Sequence, residues 1–193
     1  MDNSLFISAA NEMGLEPALL KSLILVECGA NAEGFLPSGR PKILFEGHIF
    51  WKELEKVGIN PNKYSHKYRD VLYEKWDKSK YLGGESEWSR LRMASEINQE
   101  AALKSASWGL GQIMGFNYNL AGCDTIEIFV NKNNESHKAQ MWLLYNFLDN
   151  SRLIPLLKEH KWDEFAKKYN GPGQVKYYSQ KFENTYRNLK GKL

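Results

Sequence analysis

The sequence is poor in the patterns that build metal centres, disulfide frameworks and membrane spans. Only two cysteines occur, Cys28 and Cys123, and no Cys-x-x-Cys pair is present, so neither a disulfide scaffold nor a zinc ribbon is expected. The four histidines form no His-Glu-x-x-His motif, which favours a reaction without a metal or other cofactor. The aliphatic run at residues 23–26 is far shorter than the roughly 20 residues that cross a bilayer. Stable membrane insertion is therefore not expected.

Net charge is also small, because 26 basic residues are set against 23 acidic ones and leave an excess of +3. This excess does not predict a nucleic-acid partner. The start of the chain, Met-Asp-Asn-Ser, lacks the basic and apolar regions of a secretory signal. We therefore expect a protein that is made in the cytoplasm and needs a helper for any role beyond the inner membrane.

The 193 residues suit a single domain, and the periodicity of its apolar residues is mainly helical. Spacings of three and four predict helices in residues 5–13, 18–26, 91–103, 141–148 and 165–169. Residues 34–45 contain Pro-Ser-Gly-Arg-Pro between two apolar arms and predict a small β-hairpin. Residues 58–86 lack periodicity and are expected to form a loop-rich excursion.

Glu27 stands where the helical pattern calls for a leucine. Leu20, Leu23, Ile24 and Glu27 are spaced i, i+3, i+4 and i+7, so they fall on one buried stripe. Burial and the negative end of the helix dipole both raise the pKa of a carboxyl group there. A carboxylic acid that stays protonated near neutral pH is what a glycosidase needs as its general acid. The alternative is that Glu27 turns into solvent at the helix end or pairs with a basic residue.

Glu46 follows directly after the apolar stretch at residues 43–45. A second carboxylate in a glycosidase holds the attacking water or stabilises an oxocarbenium-like transition state. The alternative is that Glu46 caps, or lies in the first turn of, a helix that contains His48, where the helix dipole favours an acid.

Residues 107–115, Ser-Trp-Gly-Leu-Gly-Gln-Ile-Met-Gly, alternate glycines with bulky apolar residues. The spacing does not match a dinucleotide-binding fingerprint, and no strand is predicted before it. The glycines favour close approach of the backbone to a helix or a ligand. Ser107 is a candidate helix cap, and Gln112 can both donate and accept toward a substrate amide or hydroxyl. A role in packing alone is the alternative.

Taken in order, these pieces resemble the lysozyme-like superfamily, and more closely the N-acetylmuramidase family of phage endolysins. The resemblance covers nearly the whole chain and rests on four segments. These are Val26-Glu27 with Gly34-Phe35, residues 39–50 (Gly-Arg-Pro-Lys-Ile-Leu-Phe-Glu-x-His-x-Phe), residues 106–118 (Ala-Ser-Trp-Gly-Leu-Gly-Gln-Ile-Met-Gly-Phe-Asn-Tyr) and residues 169–173 (Tyr-Asn-Gly-Pro-Gly). One departure is Gly47, which stands where a larger, often basic residue is expected.

The resemblance implies a mainly α, lysozyme-like catalytic domain over residues 1–193, two-lobed and with a small β-hairpin. It implies that Glu27 is the general acid, and it places a further set of residues around the sugar: Glu46, Ser107, Gln112, Tyr169 and Asn170. The substrate implied is peptidoglycan, cleaved at the β-1,4 bond between N-acetylmuramic acid and N-acetylglucosamine. Two rivals stay open: a lytic transglycosylase that leaves a 1,6-anhydro product, and a non-catalytic glycan-binding module.

The resemblance also implies the setting in which the chain works. An endolysin accumulates in the cytoplasm of the infected bacterium until a holin-like partner opens the inner membrane, and then acts on peptidoglycan in the periplasm. The resemblance implies a monomer, and it implies no cofactor, no metal and no nucleic acid.

Overall fold

The computed structural model describes residues 3–29 and 32–193. Met1 and Asp2, on which part of the expectation about export rests, lie outside these residues. The described chain is mainly helical, as predicted. Its α-helices are Asn3–Met13 (α1), Pro17–Cys28 (α2), Gly47–Lys56 (α3), Glu85–Ser95 (α4), Gln99–Lys104 (α5), Ile126–Glu135 (α6), His137–Asn150 (α7), Ile154–Lys158 (α8), Trp162–Tyr169 (α9) and Val175–Leu189 (α10). Three short strands, Ile43–Phe45 (β1), Ala106–Trp108 (β2) and Ile113–Met114 (β3), form one antiparallel sheet in the order β1-β2-β3.

The helices and the sheet pack as two lobes. In the first lobe, α1 and α10 pack on α2, and α9 packs on α10. In the second lobe, α3 and α4 pack on α5, and α4 also packs on β1. Helices α6 and α7 join the lobes, since α6 contacts α5 and α7 contacts α1. Within residues 3–29 and 32–193, no helix is both long enough and apolar enough to span a membrane.

Helix α2 lies at the centre of the first lobe. It begins at Pro17, where proline is tolerated because the first N–H groups of a helix have no partner inside the helix. Leu20, Leu23 and Ile24 are fully buried, as the periodicity predicted. A helix that is apolar on most of its surface must be covered on most of its surface. The last turn of α2, which carries Glu27, therefore lies inside the protein.

The predicted hairpin at residues 34–45 is present only in part. A bridge between Phe35 and Pro41 closes its loop, and the Leu36 N–H donates to the Arg40 carbonyl over 2.8 Å. The second arm, β1, pairs with β2 instead of with the first arm. Pro41 has no N–H to extend the ladder, so the partner of β1 comes from more than 60 residues further along the chain.

The prediction of Ser107 as a helix cap is wrong, because this residue lies in a strand. Ser107 sits in β2, opposite Leu44 of β1 and Met114 of β3. The predicted helix over residues 91–103 is also divided, since α4 ends at Ser95 and α5 begins at Gln99. Asn98 caps α5 by accepting a hydrogen bond from the Ala101 N–H over 2.8 Å, which starts a new helix within one apolar pattern.

Residues 58–84 form the loop-rich excursion that the sequence predicts over residues 58–86, with short 3₁₀ turns at Pro61–Lys63 and Lys78–Lys80, and residues 85 and 86 already belong to α4. The excursion returns to the end of β1, where the Gly47 N–H donates to the Tyr73 hydroxyl over 3.3 Å. A Cβ atom on Gly47 would lie 2.4 Å from the Tyr73 ring. The glycine at position 47, where the family pattern has a larger residue, therefore has a steric reason. A larger side chain would push the excursion away from β1.

Candidate active site

Glu27 lies in the last turn of α2 and is partly buried, with its carboxyl group surrounded by protein. Burial raises the pKa of this carboxyl group to about 7, against the opposing effects of a hydrogen bond from Asn170 and the positive charge of Lys181. The predicted rise in pKa is therefore present, and desolvation is its main cause. At neutral pH a large fraction of Glu27 carries the proton that a general acid must donate.

Two residues that the sequence placed near the sugar come from the end of α9 and meet Glu27. Asn170 Nδ2 donates to Glu27 Oε1 over 3.0 Å. Tyr169 lies next to it in sequence, and burial, followed by the negative charge of Glu27, raises the pKa of its phenol. The Tyr169 hydroxyl donates to the Gly111 carbonyl over 2.6 Å. The ends of α2 and α9 are thus brought together at one place.

The turn between β2 and β3, residues 109–112, connects these two helix ends. The Cys28 thiol, next to Glu27, donates to the Leu110 carbonyl over 2.9 Å. The Tyr169 hydroxyl donates to the following carbonyl, that of Gly111. Burial raises the pKa of Cys28 to about 12, so this thiol remains a neutral donor. Both Cys28 and Cys123 are buried and unbridged. The turn therefore sets the relative position of Glu27 and Asn170.

Gln112 and Ser107 hold this turn from inside. Gln112 adopts a positive φ of 46°, a conformation that costs a non-glycine residue about 1–2 kcal/mol. Its side-chain amide donates to the carbonyls of Gly109 (2.9 Å) and Lys42 (3.3 Å), and its oxygen accepts from the Ser107 hydroxyl over 3.0 Å. These contacts favour the packing alternative for both residues, because the amide protons of Gln112 are already used within the protein.

Gln140 also holds the 109–112 turn, and the sequence analysis did not predict this role. It is buried in α7, accepts from the Leu110 N–H over 3.0 Å and donates to the carbonyls of Asn133 (2.8 Å) and Gly34 (3.3 Å). The signal for it was a polar residue beside the apolar run at residues 141–145, which is the same kind of signal that singled out Glu27.

Glu46 is the N-cap residue of α3 by position, but its side chain makes no capping hydrogen bond. Its carboxylate instead accepts from the Tyr81 hydroxyl over 2.5 Å, and His48 Nδ1 lies 3.3 Å from the same oxygen. Burial and the neighbouring Glu46 raise the pKa of Tyr81, so its hydroxyl remains a donor. Glu46 therefore does not act as a helix-capping side chain, and its carboxylate is held in a cluster of polar groups.

A cleft of about 790 Å³ joins these groups, since both Glu46 and Asn170 line it. Tyr178 also lines this cleft, and the negative charges of Glu27 and Glu46 both contribute to the raised pKa of its phenol after burial. A second cleft of about 760 Å³ is lined by Cys28 and Lys42. The hydrogen-bond partner of Glu27, Asn170, thus lines one cleft, and its neighbour in sequence, Cys28, lines the other.

The described residues do not offer a site for a metal ion. Within residues 3–29 and 32–193, no group of three or more His, Cys, Asp or Glu side chains is arranged to hold one. The polar groups near Glu27 and Glu46 are instead donors suited to carboxylates and hydroxyls: an amide from Asn170 and a phenol from Tyr81.

A buried acid with a raised pKa, hydrogen-bonded to a residue that lines the same cleft as a second carboxylate, is an arrangement suited to a glycoside hydrolase. The family model for N-acetylmuramidase matches residues 16–190, and the chain belongs to this family. It is a glycoside hydrolase that acts on peptidoglycan.

A known structure supports this assignment. The chain resembles the crystal structure of the Burkholderia AP3 phage endolysin with a TM-score of 0.80 and 29% sequence identity. The similarity covers 97% of this chain and 71% of that one, and it confirms the lysozyme-like fold class. A comparison with curated proteins finds no match.

Proposed function

We propose that the chain hydrolyses the β-1,4 bond between N-acetylmuramic acid and N-acetylglucosamine with Glu27 as the general acid. The observation that carries this proposal is the pKa of about 7 that burial gives to Glu27, which Asn170 connects to the cleft. Neutral Glu27 donates its proton to the glycosidic oxygen, and water attacks the anomeric carbon. Glu27 is left as a carboxylate, which the amide of Asn170 and the charge of Lys181 stabilise.

Glu46 supplies the second carboxylate in this proposal. The hydroxyl of Tyr81 fixes one of its oxygens, which leaves the other for the attacking water or for the positive charge that develops on the sugar ring. The stereochemistry of the product distinguishes activation of water by Glu46 from a third role, in which Glu46 is a nucleophile. Direct attack by a water that Glu46 activates inverts the anomeric centre, whereas a nucleophilic role for Glu46 retains it.

The remaining residues that the sequence selected act in binding. Asn170 positions Glu27, and Tyr169 holds the 109–112 turn. Asn170 Oδ1 is buried without a partner among the described residues. A substrate N–H or hydroxyl is a suitable donor for it. Ser107 and Gln112 serve the substrate through the 109–112 turn, whose shape their side chains maintain.

Mass spectrometry of digested peptidoglycan tests this proposal. Hydrolysis gives fragments that end in reducing muramic acid, one water heavier than the 1,6-anhydro fragments of a lytic transglycosylase. Reducing ends from the wild-type protein, and none from Glu27→Gln, are the expected result. Anhydro ends would contradict hydrolysis, and intact sacculi would indicate a non-catalytic glycan-binding module.

The proposed biological role is that of a phage endolysin, which the similarity to the AP3 phage endolysin supports. We place the protein in the host cytoplasm as a monomer with one catalytic domain over residues 1–193, until a holin-like partner opens the inner membrane to the periplasm. Purified protein is expected to clear permeabilised cells and to leave cells with an intact outer membrane unchanged. Light scattering on the purified chain tests the monomeric state.

A further inference from the structure

Two strongly exposed aromatic side chains line the cleft that holds Glu46. Trp76 is 53% exposed and Tyr177 is 58% exposed. Trp76 belongs to the excursion beside β1 and Tyr177 to α10, so they reach the cleft from the two lobes. Large aromatic rings left open on a cleft mark a binding surface, and the flat C–H face of a pyranose is a good partner for a π face.

Each of these rings packs against a tyrosine ring. Trp76 packs edge-on against Tyr81, with ring centroids 6.5 Å apart, and Tyr81 is the residue that donates to Glu46. Tyr177 packs edge-on against Tyr178 with centroids 5.2 Å apart. The two aromatic surfaces are therefore connected to groups that already face the carboxylates.

The segment that carries Trp76, residues 70–83, is anchored at both ends, and we refer to it as the 70–83 wall. Near its end, the N–H groups of Leu82 and Gly83 donate to Glu87 over 2.8 and 2.9 Å. At its start, Arg90 donates to the Asp70 carbonyl over 3.3 Å.

The anchor itself is a buried ion pair, formed by Glu87 and Arg90 at 2.8 Å. The same pair binds the N–H of Phe45 (3.0 Å) and its carbonyl (2.8 Å), directly before Glu46. Hydrogen bonds such as these offset part of the cost of burying two charges, although Arg90 Nε has no hydrogen-bond partner among the described residues. The pair fixes the 70–83 wall to the strand end that presents the second carboxylate.

The wall also brings a positive charge to the cleft. Lys78 lines it, and the ion pairs of the described residues do not include Lys78. Two residues further on, Lys80 pairs with Asp70 at 3.3 Å. The Lys78 ammonium group is thus available to an anionic ligand that lies along the aromatic rings.

We propose that the 70–83 wall and Tyr177 form a glycan subsite that selects sugars bearing a carboxylate. Trp76 and Tyr177 stack on sugar faces, while Lys78 pairs with a carboxylate carried by the lactyl group or by the peptide of peptidoglycan. This inference rests on the proposed cleavage of peptidoglycan. It adds a physical reason for preferring peptidoglycan to a neutral polymer of N-acetylglucosamine.

Steady-state kinetics on solubilised peptidoglycan test the role of the charge. Lys78→Gln is expected to raise KM about three- to fivefold, the effect of losing one exposed ion pair, with kcat unchanged. Lys78→Arg keeps the charge and is expected to retain KM. The matched control is Lys63→Gln, which removes an exposed lysine of the same excursion that lies outside the 70–83 wall and does not line the cleft. An unchanged KM for Lys78→Gln both on solubilised peptidoglycan and on strands stripped of peptide would overturn the proposal.

Binding experiments with Glu27→Gln protein separate this inference from the proposed reaction, because they need no cleavage. Tryptophan fluorescence reports titrations with soluble peptidoglycan fragments and with a neutral N-acetylglucosamine tetramer. Trp76→Ala is expected to weaken the binding of both ligands, and Lys78→Gln is expected to weaken only the binding of the peptidoglycan fragments. Equal weakening of both ligands by Lys78→Gln would contradict selection by charge. Wild-type protein that binds with this selectivity but cleaves nothing would contradict the reaction and not the subsite.

Glycan strands stripped of peptide by an amidase identify the source of the carboxylate. Removal of the peptide frees the lactyl carboxylate, so an effect of Lys78→Gln on the affinity for stripped strands assigns the contact to the lactyl group. An effect confined to intact fragments assigns it to the peptide. Either result supports the subsite, whereas no effect on either ligand overturns it.

Discussion

Asn170 Nδ2 donates a hydrogen bond to Glu27 Oε1 over 3.0 Å, although 143 positions separate the two residues in the chain. This bond stabilises the ionised carboxylate and so opposes the effect of burial on its pKa. Asn170 also lines the cleft that Glu46 lines. One side chain therefore adjusts the proton affinity of the acid and connects it to the second carboxylate.

Asn170→Ala is expected to move the alkaline limb of the kcat/KM profile to higher pH and to lower the maximal rate. The limb moves up because the hydrogen bond that lowers the pKa of Glu27 is lost. The rate falls because the acid loses its positioning partner. Peptidoglycan turnover across a pH series measures both effects, with the exposed Asn134→Ala as the control. An alkaline limb that stays in place would show that Asn170 does not influence Glu27.

Lys181→Met removes a positive charge that acts on Glu27 while keeping most of the side-chain volume. Lys181 Nζ donates to the Val26 carbonyl over 3.2 Å, and its charge lowers the pKa of Glu27. The alkaline limb is therefore expected to move to higher pH. Arg187→Met on the same helix, where Arg187 pairs with Glu183 at 2.6 Å, is the matched control. A downward movement of the limb would contradict the electrostatic account.

Glu27→Gln is expected to stabilise the fold in a pH-dependent way. The folded-state pKa of about 7 lies above the ordinary value of 4.5, so the folded protein loses stability as pH rises from about 4.5 to 7 and Glu27 ionises. The cost of ionisation at higher pH is about 3 kcal/mol. Calorimetry should show a melting temperature several degrees above wild type at pH 8 and little difference at pH 4. An equal difference at both pH values would contradict the raised pKa.

Glu46→Gln and Tyr81→Phe test the second carboxylate. Glu46→Gln should lower kcat less than Glu27→Gln if Glu46 only orients water, and comparably if it is the obligatory base. Tyr81→Phe removes a hydrogen bond to a charged group, worth about 1.5–3 kcal/mol, and should lower kcat by about tenfold or more. Tyr64→Phe, on the same excursion, serves as the control. If Glu46→Gln lowers only the melting temperature, the residue serves the packing of its cluster with Tyr81 and His48 and not the reaction.

Helices α1, α2, α7 and α9 and the burial of Glu27 were predictable because their signal is local. The spacing of Leu20, Leu23 and Ile24 predicts that this face of α2 is buried, and an acid on the same face must be desolvated. The start of α2 at Pro17 follows from the same local chemistry. The raised pKa of Glu27 therefore followed from sequence, even though its partners did not.

The rest depends on contacts between distant segments, for which the sequence holds no periodic signal. Tyr81 lies in an irregular excursion, and only the anchoring by Glu87 brings it to Glu46, 35 positions away. The strand character of Ser107 was hidden because three residues among glycines show no alternation. Gln112 looked like a substrate ligand for a similar reason, since its inward hydrogen bonds depend on a positive φ that its residue type does not suggest.

The most direct test of the account is the peptidoglycan turnover of folded Glu27→Gln protein. The substitution keeps the volume of the side chain but removes the proton that leaves with the sugar. We expect kcat to fall by about 10²–10⁴-fold, with the circular dichroism spectrum unchanged and with the exposed Glu12→Gln variant fully active. Turnover like that of the wild type in a correctly folded Glu27→Gln protein would contradict the assignment of Glu27 as the general acid.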